Sequence, residues 1–252
     1  MFLRKLAKHL GLVDATLDVE FIRNCPSWMA ANLPSRISPS ILPQSAIIEK
    51  RARMTQRQGE RPLWSGYRSV TDYPRSTTGG RSSEQVRTDR ETGRFYSWLV
   101  QKRRPDVVVE FGTAFGVSGM YWLAGLEQAE SGHLFTFEPN ADWAALAERN
   151  LSTISKRFTL SVGTFESLAE SVLGDTRIDL ALVDAIHTSV FVFAQYDILR
   201  PLMSKGGIVL FDDINFSEDM SSCWQDIANR PEIVASATLG QRVGIVEFGS
   251  AA

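Results

Sequence analysis

Between Val107 and Leu126 the chain reads VVVEFGTAFGVSGMYWLAGL, and this stretch narrows the fold more than any other. Val107, Val108 and Val109 form a short β-branched run of the kind found in the central strand of a parallel sheet. Glu110 closes the run, where such a strand opens onto its C-terminal crevice. Gly112 and Gly116 bracket a turn with Ala114 between them, and small residues there let the backbone approach a ligand closely. Ser118 and Gly119 lead into an apolar helix from Met120 to Leu126. A strand, a small-residue loop and a helix N-terminus in succession make a nucleotide site at a switch point of an α/β sheet.

Downstream, short apolar strands alternate regularly with helical stretches. Strands are expected at Val107–Glu110, His133–Phe137, Phe158–Val162, Ile178–Val183 and Ile208–Phe211, the last following a Lys205-Gly206-Gly207 turn. Helices are expected at Val117–Glu130, at Asp142–Ile154 with Asn140 as N-cap, at Phe165–Leu173 and at Val190–Met203. A helix over Glu218–Ala228 precedes two strands, Ile233–Leu239 and Val243–Phe248, whose short Gly240-containing link suits an antiparallel hairpin. Upstream, one helix is expected from Glu84 through Val100, separated from the central strand by Pro105.

Acids follow four of the five expected strands: Glu110, Glu138, Asp184, and the pair Asp212 and Asp213. In an open parallel sheet these ends share one crevice. A carboxylate at Glu138 can accept hydrogen bonds from two ribose hydroxyls. Glu110 in the glycine loop, with Glu138 after the next strand, resembles the class I S-adenosylmethionine (SAM) methyltransferases over roughly Glu84 to the C-terminus. An acidic loop suits a cofactor that carries an ammonium and a sulfonium better than it suits a pyrophosphate. The resemblance implies a Rossmann-like α/β fold, with five parallel strands plus a C-terminal antiparallel hairpin. It also implies SAM held along Glu110, Gly112, Gly116, Ser118 and Glu138, with Thr164, Phe165 and Asp184 completing the pocket. Two positions depart from the family pattern: Ala114 stands where a glycine is usual, and Thr164 stands where an acid often binds the adenine amino group.

Two routes to an activated acceptor stay open. Asp184, Asp212 and Asp213 match the acids that hold a divalent cation in catechol-type and related small-molecule O-methyltransferases, so Mg²⁺ is one expectation. His187, three residues after Asp184, is the other, as a general base with a free pKa near neutrality; it is also placed to be a substrate contact. The leading expectation is methyl transfer to an oxygen of a small-molecule acceptor, with Asp184 and His187 at the reaction centre. The alternative is a SAM-consuming cyclase of the azetidine-2-carboxylate synthase type, in which SAM alone is the substrate and methylthioadenosine leaves.

Residues 1–83 lie outside the resemblance and are expected to cap the site, with 84–252 as the SAM-binding domain. Six of the ten prolines fall between Pro26 and Pro74, with a short helix at Leu42–Thr55 and a flexible loop at Arg75–Ser83. Residues Met1–Leu12 suggest a short amphipathic helix. Charge is divided: residues 1–104 hold 19 Lys and Arg against 9 Asp and Glu, and the remainder 8 against 20. A basic front packed over an acidic domain fits that asymmetry. The arginines are dispersed and surrounded by no nucleic-acid module, so nucleic acid is not an expected partner. No apolar run approaches a membrane span, and two distant cysteines, Cys25 and Cys223, offer no disulfide framework. A cytoplasmic protein is therefore expected. Oligomeric state is left open, a homodimer included.

Overall fold

The computed structural model describes residues 16–39, 42–69 and 79–249. In chain order the elements are β1 (Leu17–Asn24), α1 (Trp28–Asn32), β2 (Arg36–Ile37), α2 (Ser45–Gln56), β3 (Arg61–Pro62), a 3₁₀ turn (Ser65–Ser69), β4 (Gly80–Arg81), α3 (Ser83–Val86) and α4 (Arg90–Arg103). The alternating part follows as β5 (Val107–Phe111), α5 (Val117–Ala129), β6 (His133–Glu138), α6 (Ala141–Leu151), β7 (Phe158–Val162), α7 (Phe165–Leu173), β8 (Ile178–Val183), α8 (Ser189–Leu199) and β9 (Met203–Phe211). It closes with α9 (Glu218–Ala228), β10 (Ile233–Leu239) and β11 (Val243–Phe248).

Among the described residues the main sheet runs β2-β1-β10-β11-β9-β8-β5-β6-β7. β9, β8, β5, β6 and β7 are parallel, and β11 and β10 are antiparallel, as the alternation and the hairpin predict. The chain winds from β5 outward to β7, then crosses back to β8. The loops after β5 and β8 therefore diverge at a switch point, where a crevice opens. β5 is apolar on both faces because helices cover both. One core cluster lies under α4 and α5 and includes Phe95, Leu99, Trp122 and Leu134. The other lies under α7, α8 and α9 and includes Phe111, Phe165, Tyr196 and Trp224.

Three local expectations change. The helix expected from Glu84 to Val100 is two helices. Asp89 interrupts it by capping α4, its carboxylate accepting from Thr92 N at 2.9 Å and Thr92 Oγ1 at 2.8 Å. The Lys205-Gly206-Gly207 turn is a bulge inside β9: Gly206 takes φ +72°, and the β8–β9 register shifts there. The helix begun at Ser189 ends at Leu199 and tightens into a 3₁₀ turn over Arg200–Leu202, with Pro201 within it. The helix expected over Met1–Leu12 and residues 75–78 of the Arg75–Ser83 loop lie outside the described residues; Gly80–Arg81 in the loop's second half is β4.

A boundary at Ser83 does not separate the front from the rest. β1 pairs antiparallel with β10 and extends the sheet, with Val19 opposite Leu239. The buried carboxylate of Glu247 on β11 accepts from Trp28 N at 3.0 Å and Met29 N at 2.6 Å, capping α1 from across the sheet. Among the described residues of the front, the part on the crevice side runs through Leu63–Tyr67 and Arg81–Arg87. It is held by a buried network in which Glu49 of α2 receives Arg87 Nη2 at 2.5 Å, Arg87 Nη1 at 3.2 Å and Tyr121 OH at 2.9 Å. Burial raises the Glu49 pKa, but Arg87, Tyr121 and Arg90 outweigh it and leave the carboxyl below its ordinary value.

Candidate active site

The crevice is built from the ends of β5, β6, β8 and β9. Gly112, at φ +84°, turns the chain out of β5, and a methyl group there would fall 1.9 Å from the Asp184 carbonyl oxygen. The loops after β5 and β8 are thus in backbone contact, which only glycine allows. Gly116, at φ +81°, precedes the first turn of α5. Ala114, at φ +47°, sits in the left-handed region without being glycine, a strain of about 1–2 kcal/mol. That strain is coupled to a contact, since Ala114 N donates to Glu138 Oε2 at 2.8 Å.

Glu138 ends β6 with both oxygens engaged, the second accepting from Asn140 N at 2.8 Å. Asn140 is also the N-cap of α6, as expected. Each Glu138 oxygen keeps a further lone pair. Burial pushes the carboxyl up to about 7, against the pull of the Asn140 and Ala114 amides. Glu138 borders two cavities. One, of about 40 Å³, is walled by Phe137, Phe165, Phe191 and Ile186 and roofed by Trp64 and Tyr67. The other, of about 340 Å³, reaches from Glu138 past Asp184 to His187, Asp213 and Arg242, under Arg81 and Arg87.

Glu110 sits elsewhere. It is fully buried beneath α5, accepts from Thr136 Oγ1 at 2.7 Å and lines neither cavity. Burial pushes its carboxyl up to about 7, against nearby Ser118, Thr136 and Trp122. Ser118 lies with Thr88, Thr113 and Asp184 around a narrow slot on the other side of the loop. Thr164 and Phe165 border the smaller cavity, but each has a structural task. Thr164 caps α7, accepting from Ser167 N, and Phe165 stacks on Phe111 at 3.8 Å.

At the other end His187 is the hub. Its Nε2 lies 3.8 Å from Asp184 Oδ1 and 3.5 Å from Asp213 Oδ2. Burial lowers its pKa, and Asp213 only partly offsets this, so the imidazole is held neutral below its ordinary value. Asp184 is pushed well up by burial and by Asp212 and Asp213. Asp212 is raised to about 6 by burial, despite Arg242.

Residues 109–214, which span this crevice, match a family model described as a methyltransferase domain. Over these residues the chain is similar to a methyltransferase domain. Rhamnosyl O-methyltransferases of Mycobacterium tuberculosis and Mycobacterium bovis are 26% identical to it over 129 residues, which is 48% of this chain and 51% of theirs. The chain thus spans about half the length of the curated relatives it matches. Among solved structures, cofactor-bound Rv0187 from MTB aligns with a TM-score of 0.60 at 17% identity, covering 88% of this chain and 94% of that one. The O-methyltransferase TomG from Streptomyces achromogenes, in complex with SAM, aligns at 0.55 and 15% identity, covering 77% and 99%. At these identities the likeness is one of fold. The comparisons lend no support to the cyclase alternative.

Within this crevice the expected metal triad does not fit an ion. Arg242 Nη2 lies 2.7 Å from Asp212 Oδ2 and Nε 2.8 Å from Asp213 Oδ1, so a guanidinium already occupies the acid pair. Among the described residues no three His, Cys, Asp or Glu side chains are grouped as a metal site. No helix among them is long and apolar enough to cross a membrane.

Sequence reasoning missed four contributors. Arg242 follows the Gly240 turn and reaches the site only because β11 pairs with β9. Arg87 and Thr88 enter through the break between α3 and α4, for which Asp89 is the sequence signal. Gln195 of α8 donates to Glu166 Oε1 at 2.8 Å beside the smaller cavity, a pairing that no spacing rule connects.

Proposed function

We propose that the chain transfers a methyl group from SAM to a hydroxyl oxygen of a small polar acceptor. The observation that carries the reading is Glu138. Its carboxylate is clamped by two backbone amides, retains lone pairs for a ribose diol and stands between an aromatic slot and a larger polar chamber. The walls at Phe137, Phe165 and Ile186 offer the flat apolar faces on which a purine ring stacks, with Glu166 and Gln195 at the rim. Gly112 sets the shape of the site indirectly, by letting the loops after β5 and β8 meet backbone to backbone. Glu110 acts from behind the loop, fixing β6 to β5 through Thr136.

SAM supplies a methyl group already activated as a sulfonium. The acceptor oxygen attacks that carbon, the carbon–sulfur bond breaks with its electron pair going to sulfur, and the hydroxyl proton goes to His187. A neutral imidazole is the form able to take it. Asp213 flanks the resulting imidazolium and stabilises it, with Asp184 packed beside the ring. Positioning supplies the rest, and the front part from α2 to α3 roofs the chamber through Tyr67, Arg81 and Arg87. The chamber's charged lining favours a polyhydroxylated or otherwise polar acceptor over a lipid. A deoxysugar hydroxyl heads the panel because the curated relatives named above are rhamnosyl O-methyltransferases. The test is product mass spectrometry with SAM and a panel of sugars and phenols. A methylated product, with loss of turnover in Glu138→Ala, is expected. Methylthioadenosine formed from SAM without acceptor, or no SAM binding, would overturn the reading.

A further inference from the structure

The contact between Arg242 and the acid pair is built into the sheet. β11 runs antiparallel to β9 with Gly244 opposite Phe211, so the residues before Gly244 run alongside those after Phe211. Arg242 is thereby brought beside Asp213, and Ile214 N donates to Arg242 O at 3.0 Å, fixing the backbone. The side chain then spans both acids, and the third acid, Asp184, adds its field from the neighbouring strand. We propose that Arg242 is a resident cation that takes the place of a divalent metal ion at this cluster, and that it positions Asp213 against His187.

The physical case has three parts. A divalent ion needs deprotonated oxygens with free lone pairs converging on one point. Here Asp212 Oδ2 and Asp213 Oδ1 each face a guanidinium nitrogen instead. A fixed positive charge within a few ångströms of the would-be ion also opposes its entry, and more so for a divalent ion than for a monovalent one. Finally, guanidinium stays charged at any working pH, with Nη2 hydrogen-bonded to Asp212 and Nε in ion-pair contact with Asp213, so both acids are engaged with no ion to take up. Asp213 itself is held at φ +53°, and its second oxygen faces His187 at 3.5 Å. The guanidinium therefore acts on the imidazole through Asp213. What the cluster is for rests on the methyltransferase reading; that it excludes a metal does not.

The test is Mn²⁺ titration followed by electron paramagnetic resonance on the intact chain, with circular dichroism melts as a folding control. Wild type is expected to take up no stoichiometric Mn²⁺. Arg242→Gln, which removes the charge, is expected to gain one Mn²⁺ per chain and to lose it again in Arg242→Gln with Asp212→Asn. Arg242→Lys keeps a cation and is expected to bind none. One Mn²⁺ per wild-type chain, abolished by Asp212→Asn, would overturn the proposal, as would a folded Arg242→Gln that binds none. If Arg242→Gln fails to fold, the wild-type and Arg242→Lys titrations still decide. Positioning is read separately: Arg242→Lys should shift the acid limb of the activity profile, and an unmoved limb would remove the Asp213–His187 part. Calorimetry with S-adenosylhomocysteine in EDTA tests the parent reading. A chain that binds no nucleoside loses that reading while the Mn²⁺ result stands.

Discussion

Glu138 makes cofactor binding depend on pH in a way that can be worked out in advance. A ribose diol donates its hydroxyl protons, so it needs the ionised carboxylate. The Glu138 carboxyl is raised to about 7 by burial, so at pH 6 only about a tenth is ionised and at pH 8 about nine tenths. The apparent Kd scales as 1 + 10^(pKa − pH), which predicts affinity about tenfold weaker at pH 6 than at pH 8. Isothermal titration with S-adenosylhomocysteine across that range measures it directly. Glu138→Gln keeps the shape but not the charge. It should remove two charge-assisted hydrogen bonds of about 1.5–3 kcal/mol each and flatten the pH slope. Glu110, also raised to about 7, is the internal control, because it is buried away from the cavities and remains in the variant. A wild-type affinity that does not change from pH 6 to 8, or a slope that survives in Glu138→Gln, would refute the reasoning.

Other outcomes follow from the same contacts. His187→Ala should lose roughly 10²–10⁴-fold in rate, and wild-type activity should fall on the acid side below the ordinary imidazole value, because burial lowers the His187 pKa; an unchanged rate would remove His187 from the chemistry. Gly112→Ala should destabilise by several kcal/mol, since its methyl group would overlap the Asp184 carbonyl, and a wild-type urea midpoint would contradict the geometry. Glu110 holds extra protons in the folded chain between its unfolded value near 4.5 and about 7, so it contributes stability at low pH that is lost as pH rises through that window. Glu110→Gln should therefore stabilise the chain more at pH 7.5 than at pH 5.5, by about 2 kcal/mol, as urea unfolding would show. Deleting residues 1–83 should yield an insoluble or unfolded chain, because β10 loses its partner β1 and Glu247 loses the α1 amides; a soluble, cooperatively melting product would show that β1 is dispensable.

The sequence by itself determined the alternating frame. β-branched runs, apolar helices and the Asn140 cap are local signals, and they carried the five parallel strands, the final hairpin and the glycine turn at Gly112. The acids at strand ends were legible for the same reason, since strand direction alone sends Glu138, Asp184 and Asp213 to one crevice. Tertiary structure decided what those groups do there. Whether Glu110 faces the ligand or the core depends on how α5 seats over β5, which no spacing records. Whether the Asp212–Asp213 pair meets a metal or an arginine depends on Arg242, some thirty residues further along the chain. It arrives only through β11–β9 register. The front of the chain shows the same limit. Leu17–Asn24 alternates as a strand must, yet its partner is β10, more than two hundred residues away. Local propensity names an element; pairing across such distances is set by which exposed edge and which apolar face remain to be covered once the rest has packed.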